Sequence, residues 1–139
     1  MGQIDERTGL EELGEIECLL LLGRHSVGRL AVVRDGRPAV FPVSYRRDGG
    51  TIVFRSDDGT KLAAIGDDDA VAFEIDGLDP RSRSGWSVAV TGRAIEVTEP
   101  AELEAVRKLR LEPWAPGAKE RFIRIVPDSI TGRRIVRMP

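Results

Sequence analysis

Arg55, Ser56, Thr60 and Lys61 are the residues whose types and spacing point most directly to chemistry. They flank a turn, Asp57-Asp58-Gly59, between the β-forming run from Thr51 to Phe54 and the helix-forming residues 61–65. A helix start leaves backbone N–H groups without intrahelical partners and carries the positive end of the dipole. With a guanidinium, an ammonium and two hydroxyls around it, such a start is suited to phosphate. The same residues also suit an ordinary strand–turn–helix junction with solvated charges, in which Asp57 and Asp58 occupy the N–H groups themselves. Neither Walker spacing nor GxGxxG is present, which argues against a nucleoside triphosphatase and a Rossmann domain.

Other chemistries lack residues. His25 is the only histidine, so a zinc site or a Ser-His-Asp triad would rest on one imidazole. Cys18 is the only cysteine and lies in an apolar run, where a buried, inert thiol is expected and no intrachain disulfide can form. A net charge of −2 with interspersed signs, and only 5% aromatic residues, argue against a nucleic-acid partner. The 139 residues, 41% hydrophobic and 32% charged, fit one globular domain over 1–139. The longest apolar run, 18–22, is far short of the roughly 20 residues of a membrane span. The N-terminus shows no basic stretch followed by an apolar one, so the cytoplasm is the expected compartment.

Strands must do most of the positioning. Thr8 with Glu11 resembles a capping box, and Leu10, Leu13, Ile16, Leu19 and Leu20 recur at helical spacing, which predicts a first helix through Gly23, interrupted if anywhere at Gly14. Residues 27–33 read as a strand, Asp35-Gly36 as a hairpin turn and 38–45 as its partner. Pro38 and Pro42 lack an N–H, so that partner is expected to be edge-like, bulged or broken there. After the turn 48–50 and the strand of the opening stretch, 70–75 is apolar enough on both faces to sit centrally. Residues 76–85 read as a loop, and 86–98 as a long strand with a bend or bulge at Gly92. A second helix begins at Thr98-Glu99-Pro100, with Arg107, Lys108 and Arg110 towards its end. Closing strands 121–126 and 130–136 are split by Pro127-Asp128-Ser129. Six or seven strands with short helices make a mainly β fold, a small antiparallel barrel.

Five motifs follow one another along these elements: Val27-Gly-Arg-Leu-Ala31; Pro42-Val-Ser-Tyr45; Phe54-Arg-Ser56 through Gly59-Thr-Lys61; Gly85-Trp-Ser-Val-Ala-Val-Thr-Gly-Arg-Ala94; and Phe122-Ile-Arg-Ile-Val-Pro127 through Ile130-Thr-Gly-Arg-Arg134. In this order they resemble the pyridoxamine 5′-phosphate oxidase-like family, the FMN-binding split barrels, and especially its small actinobacterial-type members. The resemblance covers nearly the whole chain. It implies a six- to seven-stranded antiparallel split β-barrel with short flanking helices, assembled as a two-fold homodimer with FMN at the interface. On that resemblance Arg55, Ser56, Thr60 and Lys61 hold the flavin phosphate. Pro42, Val43, Ser44 and Tyr45 line the ring or ribityl chain, and Trp86, Ser87 and Val88 lie close to the cofactor, often from the facing subunit.

Each of these residues also has a purely structural use. Tyr45 and Trp86 suit core or interface aromatics, and Ser87 suits a bond to a neighbouring strand. Trp114 suits either a lid over the cofactor or the dimer surface, and His25 a helix end where it bonds the last carbonyls. The true pyridoxamine phosphate oxidases are longer and carry basic residues near the C-terminus for the substrate's phosphate. Arg133 and Arg134 are the nearest counterparts here, but in the context of the small members' closing strand, so vitamin B6 oxidation is not assigned. The implied reaction is hydride transfer between a bound flavin and a small-molecule redox substrate, without an assigned catalytic residue or metal. Two alternatives share the fold. One is an F420-dependent reductase, whose longer tail needs a basic groove for which Arg24, Arg29 and Lys119 are the candidates; the other is a non-catalytic flavin carrier or sensor. A haem reading has only His25 as a ligand. Neither nucleic acid nor a membrane is expected as a partner.

Overall fold

The computed structural model describes residues 4–56, 69–112 and 121–135. In chain order these form β1 (Ile4–Asp5), β2 (Leu10–Leu13), α1 (Glu15–Arg24), β3 (Val27–Arg34), β4 (Arg37–Asp48), β5 (Thr51–Ser56), β6 (Asp69–Asp79), β7 (Ser84–Glu96), α2 (Pro100–Arg107) and β8 (Arg121–Ile135). The helix expected at 61–65 lies outside the described residues, as do Thr60, Lys61, Trp114 and Lys119.

All pairings are antiparallel, in the order β1-β2-β8-β5-β4-β3-β6-β7, and a further β7–β8 ladder closes β3 to β8 into a six-stranded barrel. Inward-facing residues of alternating strands fill it: Leu30, Tyr45, Ile52, Phe54, Phe73, Ile75, Val88, Val90, Ile123 and Ile125 are each at most 1% exposed. β4 is where the barrel splits. Residues 37–44 pair with β3 and 45–48 with β5, so the stretch bearing Pro38 and Pro42 is laddered on one side only. The missing proline N–H groups cost nothing on that side. The strand is edge-like there, as expected, but unbroken through all twelve residues. α1 packs on β4, β7 and β8, burying Cys18, Leu21 and Leu22.

Several expectations are corrected. The first helix starts only at Glu15, because Leu10–Leu13 instead pairs with residues 132–135 of β8. The Thr8 hydroxyl accepts from the Leu10 N–H at 3.3 Å within a turn and caps nothing, while Gly14 is the N-cap with no side chain to offer. The loop expected at 76–85 shrinks to 80–83, since β6 and β7 continue their ladder through Gly77↔Trp86 to Asp79↔Ser84. Gly77 marks a close approach: a Cβ built there would lie 2.6 Å from the Trp86 indole nitrogen. The two closing strands are one. Thr91 stands opposite Ser129 but Gly92 opposite Pro127, so Asp128 is the extra residue of a β-bulge that absorbs the proline.

A second, smaller core lies outside the barrel, where Val53, Val97, Val106, Leu111 and Phe122 bring α2 onto β5 and β8. Glu99 caps α2 through the N–H groups of Ala101 and Glu102, and Pro100 occupies its first turn. Arg124 ties the layers together by donating to Asp48 Oδ2 at 2.9 Å and Glu102 Oε1 at 3.1 Å. Among the described residues no helix is long and apolar enough to cross a membrane.

Candidate functional site

Strand alternation divides the expected site residues into two groups. On β4, Val43 and Tyr45 point inward, and on β7 Val88 does the same, at 7%, 0% and 0% exposure. Pro42 and Ser44 point outward on β4, as does Ser87 on β7, opposite Asp76. Tyr45 belongs wholly to the core: its hydroxyl donates to the Leu22 carbonyl at 2.7 Å and its ring meets Phe73 edge-on at 4.8 Å. Burial pushes its phenol pKa well above the usual value. Only the backbone of Tyr45 is placed to line a ligand, and its N–H is already bonded to the Ser26 carbonyl at 2.9 Å.

The outward face of β4 runs Pro42, Ser44, Arg46 and ends at a cleft of about 350 Å³. Ser26, Ser44, Tyr45, Arg46 and the segment Arg110, Leu111, Glu112 form its walls. β5 holds that segment in place. Arg55 lies on the same face as Val53, turned towards the small core; its Nη1 donates to the Leu111 carbonyl at 3.2 Å and its guanidinium sits 5.2 Å from the Phe122 ring centre. Arg110 adopts φ 54°, a left-handed conformation uncommon outside glycine, as the chain turns to bury Leu111. Ser56, 1% exposed, ends β5 immediately before residues 57–68. Arg46 and Ser26 were not singled out from the sequence, and Arg110 only as a charge towards the end of the second helix, which in fact ends at Arg107; Arg46 follows Ser44 at the spacing of two that puts both on one strand face.

Trp86 is not in the cleft. Its ring is half-buried and lies 4.9 Å from that of His25, the C-cap residue of α1, which directly precedes Ser26. The basic groove expected from Arg24, Arg29 and Lys119 is not assembled among the described residues. Arg24 lines a larger hollow, about 740 Å³, beside the exposed Ile16 and Leu20 of α1. Arg29 lies on the outer face of β3, opposite both Pro42 and Glu74, and its Nη1 reaches Glu74 Oε1 at 3.5 Å and Asp76 Oδ2 at 3.4 Å. Burial first, then the hydrogen bond and charge of Asp76, push the Glu74 carboxyl up to about 7 against the opposing pull of Arg29. A lone Glu inside the apolar strand 70–75 was the available sequence signal for this cluster.

The family model for pyridoxamine 5′-phosphate oxidase matches residues 15–134, which takes in the barrel, α1, α2 and the cleft. The chain belongs to this family. It is 37% identical over 130 residues to the uncharacterised protein Rv0080 of Mycobacterium tuberculosis, covering 90% of this chain and 85% of that protein. A solved structure of a conserved Corynebacterium diphtheriae protein of unknown function superposes with a TM-score of 0.79 at 33% identity, over 92% of this chain and 99% of that one. The FAD binding protein of Mycobacterium smegmatis gives 0.77 at 33%, over 89% and 97%. The split-barrel fold inferred from the motif order is therefore that of the family.

Proposed function

We propose that this protein binds FMN as a homodimer and transfers hydride between the flavin and a small organic substrate. The observation that carries the reading is the graded outer face of β4, where apolar Pro42, hydroxyl-bearing Ser44 and cationic Arg46 follow one another towards the cleft. That donor set fits a flavin, whose ring is apolar and flat and whose tail is polar and anionic. When bound, the flavin supplies the two-electron chemistry. Pro42 offers a surface with no N–H to desolvate, and Ser44 a hydroxyl at the ring or ribityl edge. Arg55 and Ser56, with Thr60 and Lys61 from the adjoining segment, supply charge and donors to its phosphate. Trp86 and Ser87 on β7 are assigned to the same cofactor, through the partner subunit, whereas the Val88 side chain is buried in the barrel core. Homodimer formation is supported by Val27, Val33 and Val40, all exposed on one sheet face.

FAD is a second reading, favoured by the Mycobacterium smegmatis relative, which is described as binding it. The test is a titration of purified protein with FMN and FAD, followed by flavin fluorescence and thermal stability. Arg55→Ala and Lys61→Ala should each weaken flavin binding by about tenfold, the loss of one charge-assisted contact. Unchanged affinity in both variants would overturn the phosphate assignment, and failure of the unaltered protein to bind any flavin would overturn the function.

A further inference from the structure

We infer that α1 carries a second self-association surface, on which two copies of the chain pair through antiparallel α1 helices and so join dimers formed on the valine-bearing sheet face. The inference goes beyond the flavin reading and uses none of the residues assigned to the cofactor.

Exposure is the first argument. Ile16 and Leu20, one turn apart on α1, are 78% and 50% exposed and border the hollow of about 740 Å³. Large aliphatic side chains left in water beside a groove mark a contact surface. Charge is the second argument, and it selects the occupant. At the start of α1, Glu17 and Glu11 share the single guanidinium of Arg134, at 2.5 and 3.8 Å, and Glu15 lines the same hollow, so that end is net negative. At the other end, neither Arg24 nor Arg47 makes an ion pair among the described residues, and the Arg47 Nε would lie 3.0 Å from a Cβ built on Gly23, so that end is net positive. The helix dipole favours this polarity. It also makes the surface complementary to its own reverse: antiparallel copies set each acidic end on a basic one, whereas parallel copies set like on like. Glu17 and Arg24 are two turns apart and line one flank of the groove. A two-fold axis near Leu20 therefore places Arg24 of each copy opposite Glu17 of the other. Placement is the third argument. A Cβ built on Gly132 would lie 2.6 Å from the Cys18 sulfur, so α1 covers the inner side of β8. Val27, Val33 and Val40 stand on the outer side of the sheet, and one chain can make both contacts. A seam between two ten-residue helices, each about 15 Å long, is small, so the pairing is weak and depends on concentration.

The experiment is sedimentation velocity on the full chain at low salt, from about 5 to about 500 μM, the range in which so small a contact forms. The unaltered protein should sediment as a dimer at the bottom of the range and gain a species of twice that mass at the top. Arg24→Glu and Glu17→Arg each set like charges together at both ends of the seam, and each should move that transition about tenfold or more upward in concentration. Mixed in equal amounts, the two variants restore both opposite pairs and should recover the heavier species. Leu20→Asp leaves every ion pair in place and should abolish the heavier species, with the circular dichroism spectrum retained because the side chain is exposed. A mass that stays constant across the range, a heavier species indifferent to all three variants, or a mixture as light as its parts overturns the pairing. If the light species is a monomer, the sheet-face dimer fails, while the same doubling and the same recovery on mixing still report the α1 seam.

Discussion

Tyr45 and Glu74 show how far a residue's type is from its role. Tyr45 lies in the motif that the family resemblance assigns to the cofactor, yet alternation turns its ring inward, where its hydroxyl bonds the last buried turn of α1. Tyr45→Phe leaves the Leu22 carbonyl without that donor and should cost about 1 kcal/mol in urea unfolding, with flavin affinity unchanged. A large loss of affinity at unaltered stability would return the ring to the cofactor. Glu74 has the opposite history, a charge in an apolar strand that gains a cation only when register brings Arg29 of β3 alongside it, with Asp76 two residues on along the same strand. Its carboxyl titrates near 7 in the folded chain against an ordinary 4.5, so the native state holds a proton that the unfolded state releases. Stability on this account is full below about 4.5 and declines as pH rises through about 7. Glu74→Gln should remove that decline, raising the melting temperature at pH 8 by about 2 °C, a modest shift because the side chain is partly solvated, and changing little at pH 5. The inward or outward sense of Pro42 to Tyr45 was legible from a period of two; the Arg29 partner of Glu74, which comes from another strand, was not.

At the level of elements, local signals held where the deciding contact was nearby in sequence. Asp35 and Gly36 adopt positive φ and close the β3–β4 hairpin, and the Gly92 bulge stands where an interrupted strand pattern placed it. They failed where a distant strand decided the matter. Leu10 and Leu13 fit a helix as well as a strand, and only the free edge of β8 at residues 132–135 makes them β2. Pro127 reads as a break until Gly92 supplies a partner that needs no N–H from it. The bulge also imposes the tightest steric limit in the closing ladder, since a Cβ at Gly92 would collide with the Val126 carbonyl. Gly92→Ala should therefore cost about 2–3 kcal/mol, or roughly 6–10 °C in thermal unfolding. Gly50→Ala, with open space around it, is the control and should melt within about 1 °C of the unaltered chain.

Over the whole molecule, the unfinished side of the barrel decides how copies can meet. The Tyr45 N–H points to Ser26, so by alternation the odd-numbered residues of β4 donate towards β3 and positions 38, 40, 42 and 44 face the free edge. Two of those four are prolines, leaving Val40 and Ser44 as the only donors along it. An edge so short of N–H groups is a poor template for adding a strand, which leaves the sheet face as the surface for self-association. Val27, Val33 and Val40 share that face with Pro42 and Ser44, so a partner seated there would also cover the proposed ring site. Sedimentation equilibrium should accordingly find a dimer, and Val40→Lys should shift it to monomer by burying an unpaired charge, with the spectrum of the folded barrel retained. Flavin affinity should fall with the dimer, by tenfold or more, because half of each site would be lost. A Val40→Lys chain that stays dimeric, or one that becomes monomeric while keeping full affinity, would separate the interface from the cofactor and place the whole flavin site within a single barrel.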